Sequence, residues 1–75
     1  MHCSVYKCYR IDDGDMIQPY AVKIMREDDE EKKEAIRREY EITKSLFHKN
    51  LIHSHEKFEN DLTGEIHVVM DYVKG

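Results

Sequence analysis

Two charged residues of opposite sign occupy positions where the sequence otherwise predicts apolar side chains. Lys23 interrupts the run "YAVKIM" (residues 20–25), whose other residues are apolar on both alternating faces, as in a strand covered on two sides. Glu39 follows Ala35 by four residues and precedes Ile42 by three, so it shares an apolar stripe of a predicted helix. A lysine and a glutamate that face each other can remain ionised where either alone would be disfavoured by desolvation. We therefore expect Lys23 and Glu39 to meet.

Spacing alone leaves two interpretations of this pair open. It could be an ion bridge that fixes the helix on the sheet, although such bridges contribute little stability because burial costs about as much as the attraction returns. It could also be part of a functional site, since charges with perturbed surroundings concentrate in such sites. The sequence around the pair is needed to distinguish the two interpretations.

The composition limits the classes of protein to consider. With 75 residues the chain forms at most one small domain, and its 37% charged and 40% hydrophobic residues are typical of a globular chain. The net charge is −4, with 12 basic residues interleaved among 16 acidic ones, which argues against a nucleic-acid partner. Small molecules and proteins are the expected partners.

The chain also lacks the marks of a membrane or secreted protein. No segment approaches the ~18–20 continuous apolar residues of a membrane span, and the start "MHCSVYKCYR" has no apolar signal core. Cys3 and Cys8 fit neither a CxxC redox pair nor a zinc motif, so we expect free thiols in a cytoplasmic protein. His53 and His55 share a strand face, but no Cys or carboxylate completes a convincing metal site by spacing, so none is predicted.

The elements that must position Lys23 and Glu39 follow from periodicity and turn chemistry. Asp and Gly at 12–15 predict a turn, and Asn60, Asp61 and Gly64 predict a hairpin loop. The predicted elements are strands at 4–10, 20–25, 51–59 and 65–73, and a helix at about 28–47. The order predicts an α+β fold, a mainly antiparallel sheet of about four strands with one long helix packed on it.

The apolar residues of the predicted helix form two adjoining stripes. One stripe contains Ala35, Ile42 and Leu46, and the other contains Ile36, Tyr40 and Phe47. Glu39 lies in the first stripe, and we expect it to point with that stripe towards the sheet. The charged remainder of the helix is most simply a solvated face.

Three segments together resemble the small lobe of eukaryotic protein kinases. "YAVKIM" is similar to their V-A-I-K strand, whose lysine contacts ATP phosphates and pairs with a glutamate of the following helix. "RREYEITKSLFHKNLI" is similar to the segment that ends in a His-Pro-Asn-Ile corner, and counting back from His48 places the family's glutamate at Glu39. "IHVVMDYVKG" is similar to the strand and hinge that hold adenine. The resemblance runs over essentially the whole chain and implies a kinase-like small lobe.

The resemblance implies a role for each matching residue. Lys23 would contact the α- and β-phosphates of ATP, and Glu39 would orient Lys23; these two are the residues implied in catalysis. Met70 would be the gatekeeper at the back of the nucleotide pocket. The Asp71 C=O and the Val73 N–H would read the adenine edge.

Two further residues would cover the adenine. Ala21 would pack over it from the lysine strand, and Val5 of "SVYK" would do so from the preceding strand. The second assignment is open by one residue, because Tyr6 can be aligned in place of Val5.

The sequence departs from the family pattern in several places. The glycine-rich loop should precede Val5, yet only four residues stand before it, so the family's first strand and first two glycines have no counterpart. Lys49 replaces the usual proline. Thr43 and Ser54 stand where kinases commonly place apolar residues that stack the helix and the following strand into the core.

The sequence also stops at Gly75, before the catalytic loop and the D-F-G metal site of the family. We therefore expect residues 1–75 to be a partial kinase domain that is inactive alone, with Mg²⁺ required only together with the missing large lobe. The expected reaction of the parent is transfer of the ATP γ-phosphoryl group to Ser or Thr of a protein substrate, because "AVKIM" and "VVMDYVKG" look calcium/calmodulin-kinase-like.

A non-catalytic interpretation is the alternative. A pseudokinase-like module would bind a protein partner through the sheet edge and the underside of the lobe. Apolar surface around Val69, Met70 and Val73 would then favour self-association.

Overall fold

The fold is a single antiparallel sheet with one helix on it. The computed structural model describes residues 2–9, 18–46 and 51–73. The elements are β1 (His2–Tyr9), β2 (Pro19–Arg26), α1 (Glu30–Ser45), β3 (Ser54–Asn60) and β4 (Glu65–Asp71). The four strands are ordered β1-β2-β4-β3, and all neighbouring pairs are antiparallel. This confirms the predicted α+β class.

The predicted elements all occur, with shifted ends. β3 begins at Ser54 and not at residue 51, and β4 ends at Asp71 and not at residue 73. α1 begins after Asp29, whose carboxylate accepts a hydrogen bond of 2.9 Å from the Glu31 N–H and so caps the helix. The predicted turn at 12–15 and the corner at 48–50 lie outside the described residues.

The register of β2 against β4 determines which side chains share a face. Residues opposite each other in an antiparallel pair point to the same side of the sheet. Ala21 is opposite Met70, Lys23 is opposite Val68 and Met25 is opposite Ile66. These six residues form what we call the helix-side face, because Tyr40 of α1 packs against Met25, Ile66 and Val68 in the buried core.

The helix presents a different stripe to the sheet from the one predicted. Tyr40 is buried and Ile36 packs partly buried beside it, whereas Ile42 is 48% exposed and Leu46 is 52% exposed. The predicted stripe of Ala35, Ile42 and Leu46 is therefore not packed on the sheet, although Glu39 of the same stripe lines a cavity between α1 and the sheet. The physical reason is the position of α1, which packs against the edge strand β3 and directs Tyr40 into the core with Met25, Ile66 and Val68.

A network of ion pairs centred on Arg37 and Glu59 holds the first half of α1 on β3. The Arg37 guanidinium donates to both carboxylate oxygens of Glu59, at 2.8 and 3.0 Å. The same guanidinium also bonds Glu30 and Glu34 on the helix, each at 3.0 Å, and Lys57 bonds Glu59 along the strand. Hydrogen bonds from Arg37 and then from Lys57 lower the pKa of Glu59 to about 2.

From this ion-pair network we predict that the stability of the fold depends on pH. Because the pKa of Glu59 falls from an ordinary 4.5 to about 2 on folding, its ionised form stabilises the fold above about pH 4.5, and that contribution is lost as the pH falls towards 2. We expect Glu59→Gln to lower the thermal unfolding midpoint at neutral pH and to match the unsubstituted chain near pH 2. Glu56→Gln, an exposed carboxylate of the same strand, is the control. A difference between Glu59→Gln and the unsubstituted chain that stays constant from about pH 7 to about pH 2 would contradict the assignment.

The turn between β3 and β4 supports the start of the helix. Gly64 has a φ of +74°, and its N–H donates to the Asn60 carbonyl at 2.9 Å, as the predicted hairpin loop requires. Its carbonyl accepts from the Glu27 N–H at 3.2 Å. A Cβ at position 64 would lie 3.3 Å from the Glu27 carbonyl oxygen, so the close approach itself favours glycine. The turn thus holds the segment that leads from β2 into α1.

Candidate functional site

A cavity of about 350 Å³ lies between α1 and the helix-side face. Lys23, Val68 and Met70 line it from the sheet, and Ser54 lines it from β3. The helix and the segment after it contribute Ile36, Glu39, Tyr40, Thr43, Leu51 and Ile52. The lining is mainly apolar with a few polar groups, which is the usual character of a small-molecule site.

Lys23 and Glu39 both line this cavity, but no ion pair joins them. Lys23 is half-buried and Glu39 is exposed. The strand order explains the separation, because α1 is anchored on β3 and Lys23 lies on β2, with β4 between them. The structure brings the two charges to one cavity, but Lys23 and Glu39 do not form the ion pair that was expected.

The register places Val5, and not Tyr6, on the face of the sheet that carries Lys23. Val5 is directly opposite Lys23, whereas Tyr6 is opposite Val22 on the other face. Val5 is 61% exposed. Ala21 is buried two positions before Lys23 on the same face. The register therefore favours Val5 over Tyr6 for the face of Lys23, and a role of Val5 over the adenine stays a prediction.

Met70 lies next to Ala21 across the β2–β4 pair and also lines the cavity. Asp71 ends β4, and its N–H donates to the His53 carbonyl at 3.0 Å. Val73 follows the strand and is 60% exposed. Met70, Asp71 and Val73, which were predicted for the back of the pocket and the hinge, therefore follow one another at the end of β4, beside Ala21. We call this end of the sheet its border.

Two contacts at this border were not predicted. The Asp71 carboxylate lies 2.5 Å from Nε2 of His55, whose ring also meets Tyr20 edge-on at a centroid distance of 5.3 Å. The Lys7 ammonium lies 4.8 Å from the centroid of the Tyr72 ring, which joins β1 to the segment after β4. Alternation does not fix the face of His55, because the pairing of β3 is irregular between Ser54 and Glu56, so only the structure shows that His55 and Asp71 touch.

A third unpredicted contact joins α1 to β3 inside the cavity. The hydroxyls of Thr43 and Ser54 are 2.7 Å apart, and Ser54 is only 4% exposed. The sequence marks both residues as polar where kinases are commonly apolar. It carries no signal that the two hydroxyls bond each other.

The described residues contain no candidate metal site and no candidate membrane-spanning helix. No group of three or more His, Cys, Asp and Glu side chains is placed there to hold a metal ion. No helix there is both long and apolar enough to cross a bilayer. Cys3 and Cys8 are both free.

Comparison with known proteins shows the family of the chain. The model of the protein kinase domain family matches residues 2–75. The chain is similar to the serine/threonine-protein kinase cds1 of Schizosaccharomyces pombe, with 38% identity over 63 residues. The alignment covers 75% of this chain and 13% of that relative, so the chain spans a small part of its length. The sheet and helix described above are the small lobe of a kinase domain, and the chain belongs to the protein kinase family.

Proposed function

We propose that this chain binds ATP as the nucleotide-binding lobe of a serine/threonine protein kinase. The observation that carries the proposal is the placement of Lys23, Ala21 and Met70 on one face of the sheet, around the cavity or at its border. A half-buried cation beside apolar side chains matches a ligand with a charged end and a flat apolar end. ATP has both.

The adenine would lie along the border formed by β1, β2 and the end of β4. Val5 and Ala21 supply small apolar side chains over its plane, and Met70 closes the back. Asp71 and Val73 come directly after Met70, and the Asp71 C=O and the Val73 N–H would form hydrogen bonds with the adenine edge. Exposure of Val5 and Val73 supports this placement, because both would gain apolar contacts on binding.

The phosphates would extend towards Lys23. An ammonium group that is half-buried forms stronger charge-assisted hydrogen bonds to phosphate oxygens than one in open water. Glu39 would orient Lys23 after α1 moves towards β2, since kinase catalysis requires the lysine and the helix glutamate to pair. The open arrangement described above would then be a state that is not yet competent.

The reaction of the whole protein is proposed from the family. The relative is named as a serine/threonine-protein kinase, which supports transfer of the γ-phosphoryl group to Ser or Thr of a protein substrate. The residues that position the acceptor hydroxyl and hold Mg²⁺ belong to the large lobe in kinases. We place the reaction in the cytoplasm, where free thiols such as Cys3 and Cys8 stay reduced.

The partners proposed are therefore ATP and a protein substrate, with no nucleic acid and no membrane. Self-association through the border of the sheet remains a prediction. Val73 supports it through its 60% exposure, while Val69 and Met70 are already half-buried. ATP would compete with self-association there, because both would cover the same residues.

Equilibrium binding by calorimetry tests the proposal. We expect ATP to bind saturably, and tripolyphosphate to bind at least about tenfold more weakly because it lacks the base that Val5 and Ala21 would cover. Equal affinity for ATP and tripolyphosphate would mean that the site binds only the phosphates, and it would contradict recognition of adenine. Absence of saturable binding by the folded chain would contradict the proposal.

A further inference from the structure

A second cavity, of about 200 Å³, lies on the face of the sheet that points away from α1. Tyr20 lies three positions before Lys23 on β2, so it points away from the helix-side face, and Cys8 is opposite Tyr20. Val69 lies between two residues of the helix-side face, so it also points away, and Glu56 is opposite Val69. We call this space the outer cavity, and its lining residues are Cys8, Tyr9, Tyr20, His55, Glu56 and Val69. It shares no lining residue with the cavity beside Lys23.

Two tyrosine rings line the outer cavity. Tyr20 is half-buried, and its ring lies nearly perpendicular to the His55 ring at a centroid distance of 5.3 Å. Tyr9 ends β1 and is 53% exposed. The face of a tyrosine ring attracts a cation that lies within about 6 Å of its centroid, and the attraction grows when water is excluded. The two rings therefore favour a positively charged ligand.

Lys7 is the neighbouring cation, and it does not fill the outer cavity. Its ammonium lies 4.8 Å from the centroid of the Tyr72 ring and 5.8 Å from that of the Tyr9 ring. Lys7 is opposite Ala21 on the helix-side face, and it does not line the outer cavity. The charge of Lys7 opposes a second cation near Tyr9, so carboxylates have to outweigh it.

Two carboxylates lie at the outer cavity. Glu56 lines it, is exposed, and forms no ion pair with the other residues that the structure describes. Asp71 is opposite Tyr20 and accepts a hydrogen bond of 2.5 Å from Nε2 of His55, since an ionised carboxylate can only accept. The contact with Asp71 orients the His55 ring. Glu56 stays available to a ligand.

Aromatic rings beside an available carboxylate select one class of ligand. An anion would be repelled by Glu56 and Asp71, and no ammonium or guanidinium group lines the outer cavity. A wholly apolar group would desolvate Glu56 without giving it a partner. A guanidinium satisfies both features, because its plane stacks on aromatic rings and its N–H groups bond a carboxylate in pairs. The apolar stem of an arginine would pack on Val69.

Exposed aromatic side chains on the same face favour a protein as the source of this arginine. Tyr6 is opposite Val22, and Phe58 is opposite His67, so both rings lie on the face that carries the outer cavity. Each of the two rings is 56% exposed. A protein segment that inserts an arginine would also cover Tyr6 or Phe58, whereas a small free amine would leave both in water.

We propose that the outer cavity binds an arginine side chain of a protein partner. Glu56 accepts the guanidinium hydrogen bonds, Tyr9 and Tyr20 contact its plane, and Val69 contacts the stem. The net charge of −4 on the chain favours approach of a basic segment. The proposal does not rest on ATP binding, because the outer cavity and Lys23 lie on opposite faces of the sheet.

Titration of the ¹⁵N-labelled chain with three blocked pentapeptides tests the proposal. The peptides have the sequence Gly-Gly-X-Gly-Gly, where X is arginine, leucine or citrulline, which has the shape of arginine without its charge. We expect the arginine peptide to bind saturably with a dissociation constant of about 1 mM, and the citrulline peptide to bind at least about fivefold more weakly. The amide signals of residues 8–9, 20, 55–56 and 69 should shift. Equal affinity for the citrulline peptide, tighter binding of the leucine peptide, or no saturable shift would each overturn the proposal.

Glu56→Gln removes the available carboxylate with little change of shape. We expect it to weaken binding of the arginine peptide about fivefold, the value of one net hydrogen bond, and to change binding of the citrulline peptide less than about twofold. Glu41→Gln removes the same charge from an exposed position on α1 and should leave both affinities within about twofold. Equal weakening by the two substitutions would show a response to net charge alone and would overturn the site.

Tyr20→Phe and Tyr20→Leu test the contribution of the aromatic ring. Phenylalanine keeps the ring, so affinity for the arginine peptide should stay within about twofold, whereas leucine should lower it about threefold or more. The amide spectrum of each variant shows whether the sheet is intact. Tyr9→Phe and Tyr9→Leu give the same comparison at a more exposed position. Unchanged affinity in both folded leucine variants would overturn the role of the rings and with it the proposal.

Discussion

Replacing Lys23 with methionine is expected to weaken ATP binding by about tenfold to a hundredfold. A hydrogen bond to a charged group contributes about 1.5–3 kcal/mol, which corresponds to this range of dissociation constants. Methionine keeps an unbranched apolar stem, so the contacts of Lys23 along the cavity wall should change little. Calorimetric titration with ATP measures the loss directly.

The matched control is Lys32→Met. Lys32 is exposed on the outer side of α1, and its loss changes the net charge by the same amount. We expect it to leave ATP affinity within about twofold, because an exposed charge away from the site contributes little. Equal effects of the two substitutions would show that ATP senses only net charge, and the cavity would then not be the site.

Replacing Ile66 with alanine is expected to have the largest effect on folding. Ile66 is 1% exposed, lies opposite Met25 across the β2–β4 pair and belongs to the core cluster with Tyr40 and Val68. Truncation of a buried isoleucine to alanine costs about 2–5 kcal/mol, against a total stability of about 5–15 kcal/mol for a domain. The thermal midpoint should fall by about 10 °C or more, because a domain of this size loses roughly 4–8 °C per kcal/mol.

Leu62→Ala provides the control for this substitution. Leu62 is 97% exposed in the turn after β3, so the same class of truncation should change the stability by no more than about 0.5 kcal/mol. Urea titration of both variants gives the comparison. An Ile66→Ala variant as stable as Leu62→Ala would mean that the core is not centred on β4.

The sheet and the location of Lys23 could be predicted from sequence because both depend on local patterns. Alternation or a short apolar run defines each strand, Asn60 and Gly64 define the hairpin, and helical spacing of the apolar residues defines the helix. Once β2 is a strand, Ala21, Lys23 and Met25 must share a face. No knowledge of the partner strands is needed for these conclusions.

The rotation of α1 about its own axis could not be predicted in the same way. Two adjoining stripes were available, and an amphipathic pattern does not say which one a neighbour will cover. The choice depends on contacts between residues far apart in sequence, such as Arg37 with Glu59, which are separated by 22 residues. The Thr43 to Ser54 contact has the same origin. Both depend on the position of β3 at the edge of the sheet.

The strand order has a further consequence for how nucleotide could enter. Among the described residues, β1 pairs with β2 alone, and all the residues of β1 except Cys8 are exposed. Edge elements with little buried surface open locally at a fraction of the free energy of global unfolding. Val5 lies on this strand, so the apolar cover of the proposed adenine site can detach and close again while Met25, Ile66 and Val68 stay packed. Access to the site would then be governed by fraying of one edge strand, on a timescale separate from unfolding of the domain.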